Sequence, residues 1–263
     1  MGLSYVRNFG VEKSNGSLIG FVDSDDWIHE DMYSKLYQVM NKYNASLASC
    51  FNYTIQMLNG SEEISFRKHS DEIYMDNPLD ALLFYMENRD IPVWNKLYKR
   101  ELFNDIKFPV GKVFEDTYTT HLLIEKAGNA AVTPYPLYNY NVRSSGSITS
   151  QMGKSRSSFD NLNGAITRHE YLSKKYNNDR LEKKCRETIF DALVGIAHGL
   201  DHLRLTENKQ LYDEFVSLCN EVYNKYPYED CSTNRKLIAW TTALQSGLQH
   251  FKISVDMWMQ GGK

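Results

Sequence analysis

The sequence predicts an α/β fold followed by a C-terminal helical region, and three observations carry that prediction. A short apolar run, Ser17-Leu-Ile-Gly-Phe-Val22, stops abruptly at Asp23-Ser24-Asp25-Asp26, the pattern of a strand buried on both faces that delivers an acidic loop. Up to residue 140, strand-like blocks alternate with segments of helical period. From Phe159 onward only the helical period remains: Ile189, Ala192, Leu193, Ile196, Leu200 and Leu203, then Leu211, Phe215, Leu218 and Val222.

Taken in order, Arg7 and Asn8 fall on an expected helix ahead of the first strand. Asp31 stands where it can cap a helix carrying Met32, Leu36, Val39 and Met40, which ends near Tyr43-Asn44. Ser46 to Met57 reads as a strand, Asn59-Gly60 as a tight turn and Glu62 to Phe66 as the returning strand of a hairpin. A helix from about Pro78 to Glu87 precedes the β-leaning segment Pro92 to Tyr98 and a helical turn at Arg100 to Phe103. Glu115-Asp116 opens a helix through Lys126 that Gly128-Asn129 ends, and Val132 to Tyr140 is a further strand. The composition changes between Arg143 and Ser158, which divides an α/β domain at 1–150 from a helical region at 151–263.

Bulk properties narrow the function. The chain has 263 residues, 42% apolar and 24% charged, with 30 basic and 33 acidic side chains mixed along it for a net charge of -3. No basic field marks a nucleic-acid partner. Cys50, Cys185, Cys219 and Cys231 have neither C-x-x-C spacing nor the density of a disulfide framework, so the expected location is cytoplasmic. No apolar run reaches the ~18 residues of a spanning helix. Met257-Trp258-Met259 reads either as part of a packed terminal helix or as a peripheral contact at the inner face of the cell membrane. His198 and His202, four apart, lack the H-E-x-x-H pattern and a third ligand for zinc.

Four constellations could carry chemistry. Asp23, Asp25 and Asp26 crowd three carboxylates into four residues, which costs free energy unless a cation or hydrogen-bond donors offset it. Mg²⁺ or Mn²⁺ suits such oxygen ligands; a solvated turn is the plainer alternative. Glu115 and Asp116 sit at a loop-to-helix junction, placed either as a general base or as ordinary acids at a positive helix end. Trp94-Asn-Lys96-Leu-Tyr-Lys-Arg100 joins an aromatic plane that could stack on a sugar to cations that could hold phosphate, although such aromatics also build cores. Tyr138-Asn-Tyr140-Asn-Val-Arg143-Ser-Ser-Gly-Ser147 is either a loop able to close over a diphosphate or a surface linker.

Gly2-Leu-Ser-Tyr-Val-Arg7-Asn8-x-Gly10, followed by Gly16-x-x-Ile-x-Phe21-Val-Asp23-Ser-Asp25-Asp26-Trp27-Ile28, resembles the middle of bacterial family 2 glycosyltransferases. The Trp94–Arg100 segment, the Glu115-Asp116 pair and Leu137-Tyr-x-Tyr140-x-x-Arg143-x-x-x-Ser147-Ile148 resemble later family segments in the same order, over residues 2 to 150. The resemblance implies a partial Rossmann-like glycosyltransferase A fold that lacks the usual N-terminal nucleotide-binding strands. It also implies direct displacement with inversion, a nucleotide-diphosphate sugar donor (a UDP-sugar first among them) and a saccharide or lipid-linked acceptor in cell-surface polysaccharide synthesis.

Carried over residue by residue, it makes Asp116 the base and Glu115 its neighbour. Asp23 falls on the nucleotide ribose, Asp25 on the metal and Asp26 on the donor sugar or the support of the site. Arg7, Trp94, Lys96, Arg143 and Ser147 fall around the nucleotide sugar. The alternative is a noncatalytic remnant of such an enzyme that acts as a binding module.

Overall fold

The computed structural model describes residues 2–58, 61–66, 69–142, 157, 159–203 and 209–226. Helix α1 (Leu3–Lys13) turns Ser4, Arg7 and Val11 inward at spacings of three and four. Strands β1 (Leu18–Gly20) and β2 (Trp27–Ile28) flank the acidic loop, and α2 (Met32–Lys42) follows with Met32, Leu36, Val39 and Met40 buried as the periodicity predicts. The long β3 (Leu47–Leu58) pairs with β4 (Ser61–Phe66) as the expected hairpin, whose Asn59-Gly60 turn lies outside the described residues. Then come β5 (Ile73–Met75), α3 (Pro78–Glu87), β6 (Lys96–Lys99) and a 3-10 turn at Arg100–Phe103. Helix α4 (Glu115–Ala127) and β7 (Ala130–Val142) complete the α/β part, and α5 (Phe159–Lys175), α6 (Asp179–Leu203) and α7 (Lys209–Lys225) follow.

The sheet runs β1-β6-β3-β7-β2, with β4 added to β3 and β5 to β7. Among the described strands, only β3 and β7 pair in parallel. Because β6 is antiparallel to both β1 and β3, β1 runs the same way as β3 and β7. The carboxyl ends of all three therefore meet at one edge of the sheet, the place where open α/β sheets gather ligands.

Along β3 the pleat sends alternate side chains to opposite cores. Leu47 and Phe51 join Leu82, Met86, Leu123 and Ile124 beneath α3 and α4, whereas Ala48 and Cys50 join Leu36 and Met40 beneath α2. Leu172 of α5 and Leu181 and Cys185 of α6 enter the first of these cores, and α5, α6 and α7 enclose a third around Phe190, Leu193 and Phe215. Cys50, Cys185 and Cys219 are buried and unpaired.

Two local expectations need correction, and others lie outside the described residues. The run ending at Val22 forms only a three-residue strand, and it pairs with β6 alone among the described strands; of its residues Ile19 is buried, while Val22 is exposed. Asp31 occupies the N-cap position of α2 but is helical in its own backbone, and its side chain makes no capping hydrogen bond. The division near residue 150 falls among residues 143–156, outside the described ones, as do Arg143, Ser147 and the Met257–Met259 tail.

Candidate active site

Arg7 organises the site. Its place on the inward face of α1 buries the guanidinium, over the rings of Phe21 (5.9 Å) and Phe108 (5.8 Å). One end, Nη2, donates to Asp23 Oδ1 at 2.6 Å, and the other, Nη1, donates to Glu115 Oε1. A single planar cation thus ties the loop after β1 to the first turn of α4, using the two-pronged geometry that distinguishes Arg from Lys. Burial works against the Arg7 charge, yet the carboxylates of Glu115, Asp23 and Asp116 outweigh it and hold its pKa above the ordinary arginine value.

The loop that carries these acids is fixed from both sides. Asn8 clamps Phe108 reciprocally: Nδ2 donates to the Phe108 carbonyl at 2.8 Å, and the Phe108 N–H donates to Oδ1 at 2.9 Å. From the helical region, the Asp160 carboxylate accepts from Lys112 Nζ (2.8 Å) and from the Val113 N–H (3.2 Å), and Thr117 Oγ1 donates to Asn161 Oδ1 (3.2 Å). Phe114, directly before the acids, is held in the left-handed region at φ 55°. Arg89 and Asn95 share that conformation and the same cavity, so three of the four described non-glycine residues with positive φ line it. Such local strain gathers where surrounding structure holds a site in shape.

Glu115 is buried; desolvation raises its carboxyl pKa, with Arg7 opposing. Asp116 is half-buried, accepts from the Thr117 N–H at 2.8 Å, and is likewise raised by burial against the pull of Arg7. Asp26 is tied from beneath by the Tyr138 hydroxyl (2.7 Å to Oδ2) and the Asn141 N–H (2.9 Å to Oδ1). Burial raises its pKa and these two hydrogen bonds work the other way. The Tyr138 hydroxyl also accepts from the Asp23 N–H at 3.1 Å. Much of the repulsion expected within the acidic triplet is therefore relieved by Arg7, Tyr138 and Asn141.

Arg7, Asp23, Glu115, Asp116 and Trp94 line one cleft of about 630 Å³, which continues along β3 and β4 past Asn52, Thr54 and Ser65. Trp94 is mostly buried and stacks on Tyr138 (4.4 Å) and Tyr140 (5.4 Å). Lys96, expected to meet phosphate, lies behind the wall instead. It is fully buried, and its amine donates to Asp90 Oδ1, the Pro92 carbonyl and Asn95 Oδ1, each at 2.8 Å. All three of its protons are thus engaged, and burial lowers its pKa against the pull of Asp90.

Asn8, Tyr138 and Asn141 lie inside segments that the sequence singles out but have no role assigned there, and nothing in the sequence marks Asp90. Among the described residues no group of three His, Cys, Asp or Glu side chains is arranged to hold a metal ion, and no helix is long and apolar enough to cross a membrane.

Residues 1–107 match the family model described as glycosyl transferase family 2. That stretch is similar to family 2 glycosyltransferases. Arg7, Asp23, Asp25, Asp26, Trp94 and Lys96 fall within that match, and Glu115 and Asp116 lie just past it.

The chain is 31% identical over 151 residues to glycosyltransferase GlyA of Streptococcus pneumoniae, covering 54% of this chain and 21% of that one. It is 29% identical over 228 residues to GlyG of the same organism, covering 81% and 71%. Its mixed α/β, glycosyltransferase A-like architecture is shared with S. aureus TarS 1–349, at TM-score 0.54 and 17% identity, over 84% of this chain and 59% of that one. The same TarS fragment in complex with UDP-GlcNAc aligns at TM-score 0.51 and 18% identity, over 82% and 59%. The chain thus spans about a fifth of GlyA and under two thirds of the TarS fragment.

The contact between α5 and the acids yields a test. A Cβ on Gly164 would lie 2.9 Å from Thr117 Cγ2 and 3.0 Å from Tyr118 Cε2, inside the first turn of α4. Overpacking of this kind costs about 1–3 kcal/mol, against a helix-propensity gain of about 1 kcal/mol for alanine. Gly164→Ala is expected to lower the free energy of unfolding by up to about 2 kcal/mol in urea titrations.

Proposed function

We propose that this chain is an inverting glycosyltransferase that moves a sugar from a nucleoside diphosphate donor to a hydroxyl of a saccharide or lipid-linked saccharide acceptor, in cell-surface polysaccharide synthesis. The observation that carries this reading is the Arg7 bridge, which brings the strand-end acid Asp23 and the Glu115-Asp116 pair to one cleft. A sugar hydroxyl is a weak nucleophile and needs a base beside it. Asp116 takes the proton of the acceptor hydroxyl as its oxygen bonds to the anomeric carbon. On the opposite face the bond to the diphosphate breaks, and the nucleoside diphosphate leaves with the electron pair. Glu115, locked to Arg7, fixes the turn on which Asp116 sits.

One cation among Asp23, Glu115 and Asp116 leaves this end of the cleft net negative, so a diphosphate needs further positive charge to enter. Mg²⁺ or Mn²⁺ fits that need as an ion carried chiefly by phosphate oxygens and water, with Asp25 the protein carboxylate that would meet it. Such an ion supplies Lewis-acid stabilisation of the departing diphosphate. A UDP-sugar is the first donor to try, because a neighbour of the same fold was solved with UDP-GlcNAc.

Isothermal titration with UDP-GlcNAc, with and without MnCl₂, tests the reading. Binding that strengthens at least about tenfold with Mn²⁺ is expected, as is loss of that gain in Asp25→Ala. Absence of nucleotide binding under both conditions refutes the assignment. Binding without transfer to any acceptor favours a noncatalytic module.

A further inference from the structure

Asp90 is held at the cleft by a framework that leaves half of its carboxylate unused. The segment between α3 and β6 bends through two residues in the left-handed region, Arg89 at φ 54° and Asn95 at φ 56°. Both ends of it are fastened. The Asp90 N–H donates to the Tyr85 carbonyl of α3 at 2.9 Å. On β3, the Cys50 N–H donates to the Asn95 carbonyl at 3.0 Å, and Asn95 Nδ2 returns a bond to the Cys50 carbonyl at 2.6 Å. The buried Lys96 amine ties the segment from behind through Asp90, Pro92 and Asn95.

Within this frame Asp90 Oδ1 takes two donors, Lys96 Nζ at 2.8 Å and Asn95 Nδ2 at 3.1 Å. Oδ2 accepts from none of the described groups, yet it is not sealed in the interior. The side chain is 17% exposed, and Asp90 lines the same cleft as Asp116, so its open oxygen is available to a ligand there. A carboxylate already matched by an ammonium makes a weak general base and has little charge left to draw a metal ion. It remains a strong acceptor for a neutral O–H donor, whose hydrogen bond to an ionised oxygen needs no second counter-charge. A buried ion pair adds little net stability, but it does fix where this carboxylate points.

We propose that Asp90 binds a sugar hydroxyl in the cleft through Oδ2, with Lys96 and Asn95 as the positioning residues that aim it. The inference rests on the glycosyl-transfer reading for the nature of the ligand. The hydroxyl belongs either to the sugar of the nucleotide donor or to the acceptor saccharide.

Titration of the wild type and Asp90→Asn with UDP and with UDP-GlcNAc, each with MnCl₂, reads the donor. Saturation-transfer NMR with the methyl glycosides of glucose, galactose and N-acetylglucosamine reads the acceptor. Asn keeps a carbonyl oxygen for Lys96 and Asn95 but replaces the open oxygen with a donor. A loss of at least about fivefold for UDP-GlcNAc, with UDP within about twofold, places the contact on the donor sugar. The same loss for a glycoside, with both nucleotides within about twofold, places it on the acceptor. Asp90→Ala/Lys96→Met removes both charges together, the change a buried pair tolerates best, and is expected to weaken the same ligand. Thermal melts check that the variants fold, and the double variant decides alone if Asp90→Asn does not.

Unchanged affinity for UDP-GlcNAc and for every glycoside overturns the assignment, as does loss of UDP to the same extent as its sugar conjugate. A wild-type chain that binds none of these sugars overturns it too. The two readings fail separately. UDP binding with sugar affinity indifferent to Asp90 removes this contact alone, whereas Asp90-dependent glycoside binding without UDP binding removes the transferase reading and leaves a saccharide site.

Discussion

Asp116→Asn is expected to lower sugar transfer by at least about a hundredfold while UDP affinity stays within about twofold, because a neutral amide cannot accept the acceptor proton. Single-turnover transfer and nucleotide titration on the same preparation check both halves, and equal loss of both sinks the role assigned to Asp116. The pH profile follows from its surroundings. Burial raises the Asp116 carboxyl above the usual carboxylate range despite the opposing charge of Arg7, and transfer requires the ionised form. The acid limb of kcat/KM is therefore expected above the ordinary aspartate value of about 4.

Stability moves in the opposite sense. With its folded pKa above the unfolded one, Asp116 favours the native state below the unfolded value, and that contribution is lost as pH rises through the folded value. Asn at this position does not ionise. Thermal melts are expected to show the variant gaining on the wild type as pH rises from acid to neutral.

Arg7→Met should produce the largest loss of stability of any single change in the site. It leaves Glu115, 2% exposed, and Asp23, with its side chain 27% exposed, without their shared cation. Removing one partner of a buried ion pair costs about 3–5 kcal/mol, more than the apolar contacts of Met regain against Phe21 and Phe108. Urea titration monitored by tryptophan fluorescence measures it, and a change below about 1 kcal/mol contradicts the bridge. Arg7→Lys is expected to fall between, since one ammonium keeps the charge but lacks the planar fork that reaches both acids.

The sequence made the local parts of this site readable. The apolar run before Asp23, the spacing of three and four in α2, and Gly128 at the end of α4 each record physics that acts within a few residues. Gly128 adopts φ 74°, a conformation that glycine reaches without strain. What stayed hidden depends on partners distant in the chain.

Nothing near Arg7 announces that its guanidinium will meet a carboxylate 108 positions later, because that meeting needs the β1–β6–β3 register and the loop held by Asn8 and Asp160. Lys96 was misleading for the same reason. Beside Trp94 and Tyr98 it looks like a cation offered to a ligand, and only the position of Asp90, Pro92 and Asn95 turns its amine inward. The first strand was overread because an apolar run says that side chains avoid water without saying which of them hydrogen-bond to a neighbour.

The shared direction of β1, β3 and β7 bears on how such a protein can diversify. The acids of the loop after β1 lie at the rim where these strands end, while Phe21 of the same segment packs down on the core. Substitution or lengthening of that rim can retarget recognition while the foundations stay the same, so donor and acceptor preference are free to drift apart in descendants that fold identically.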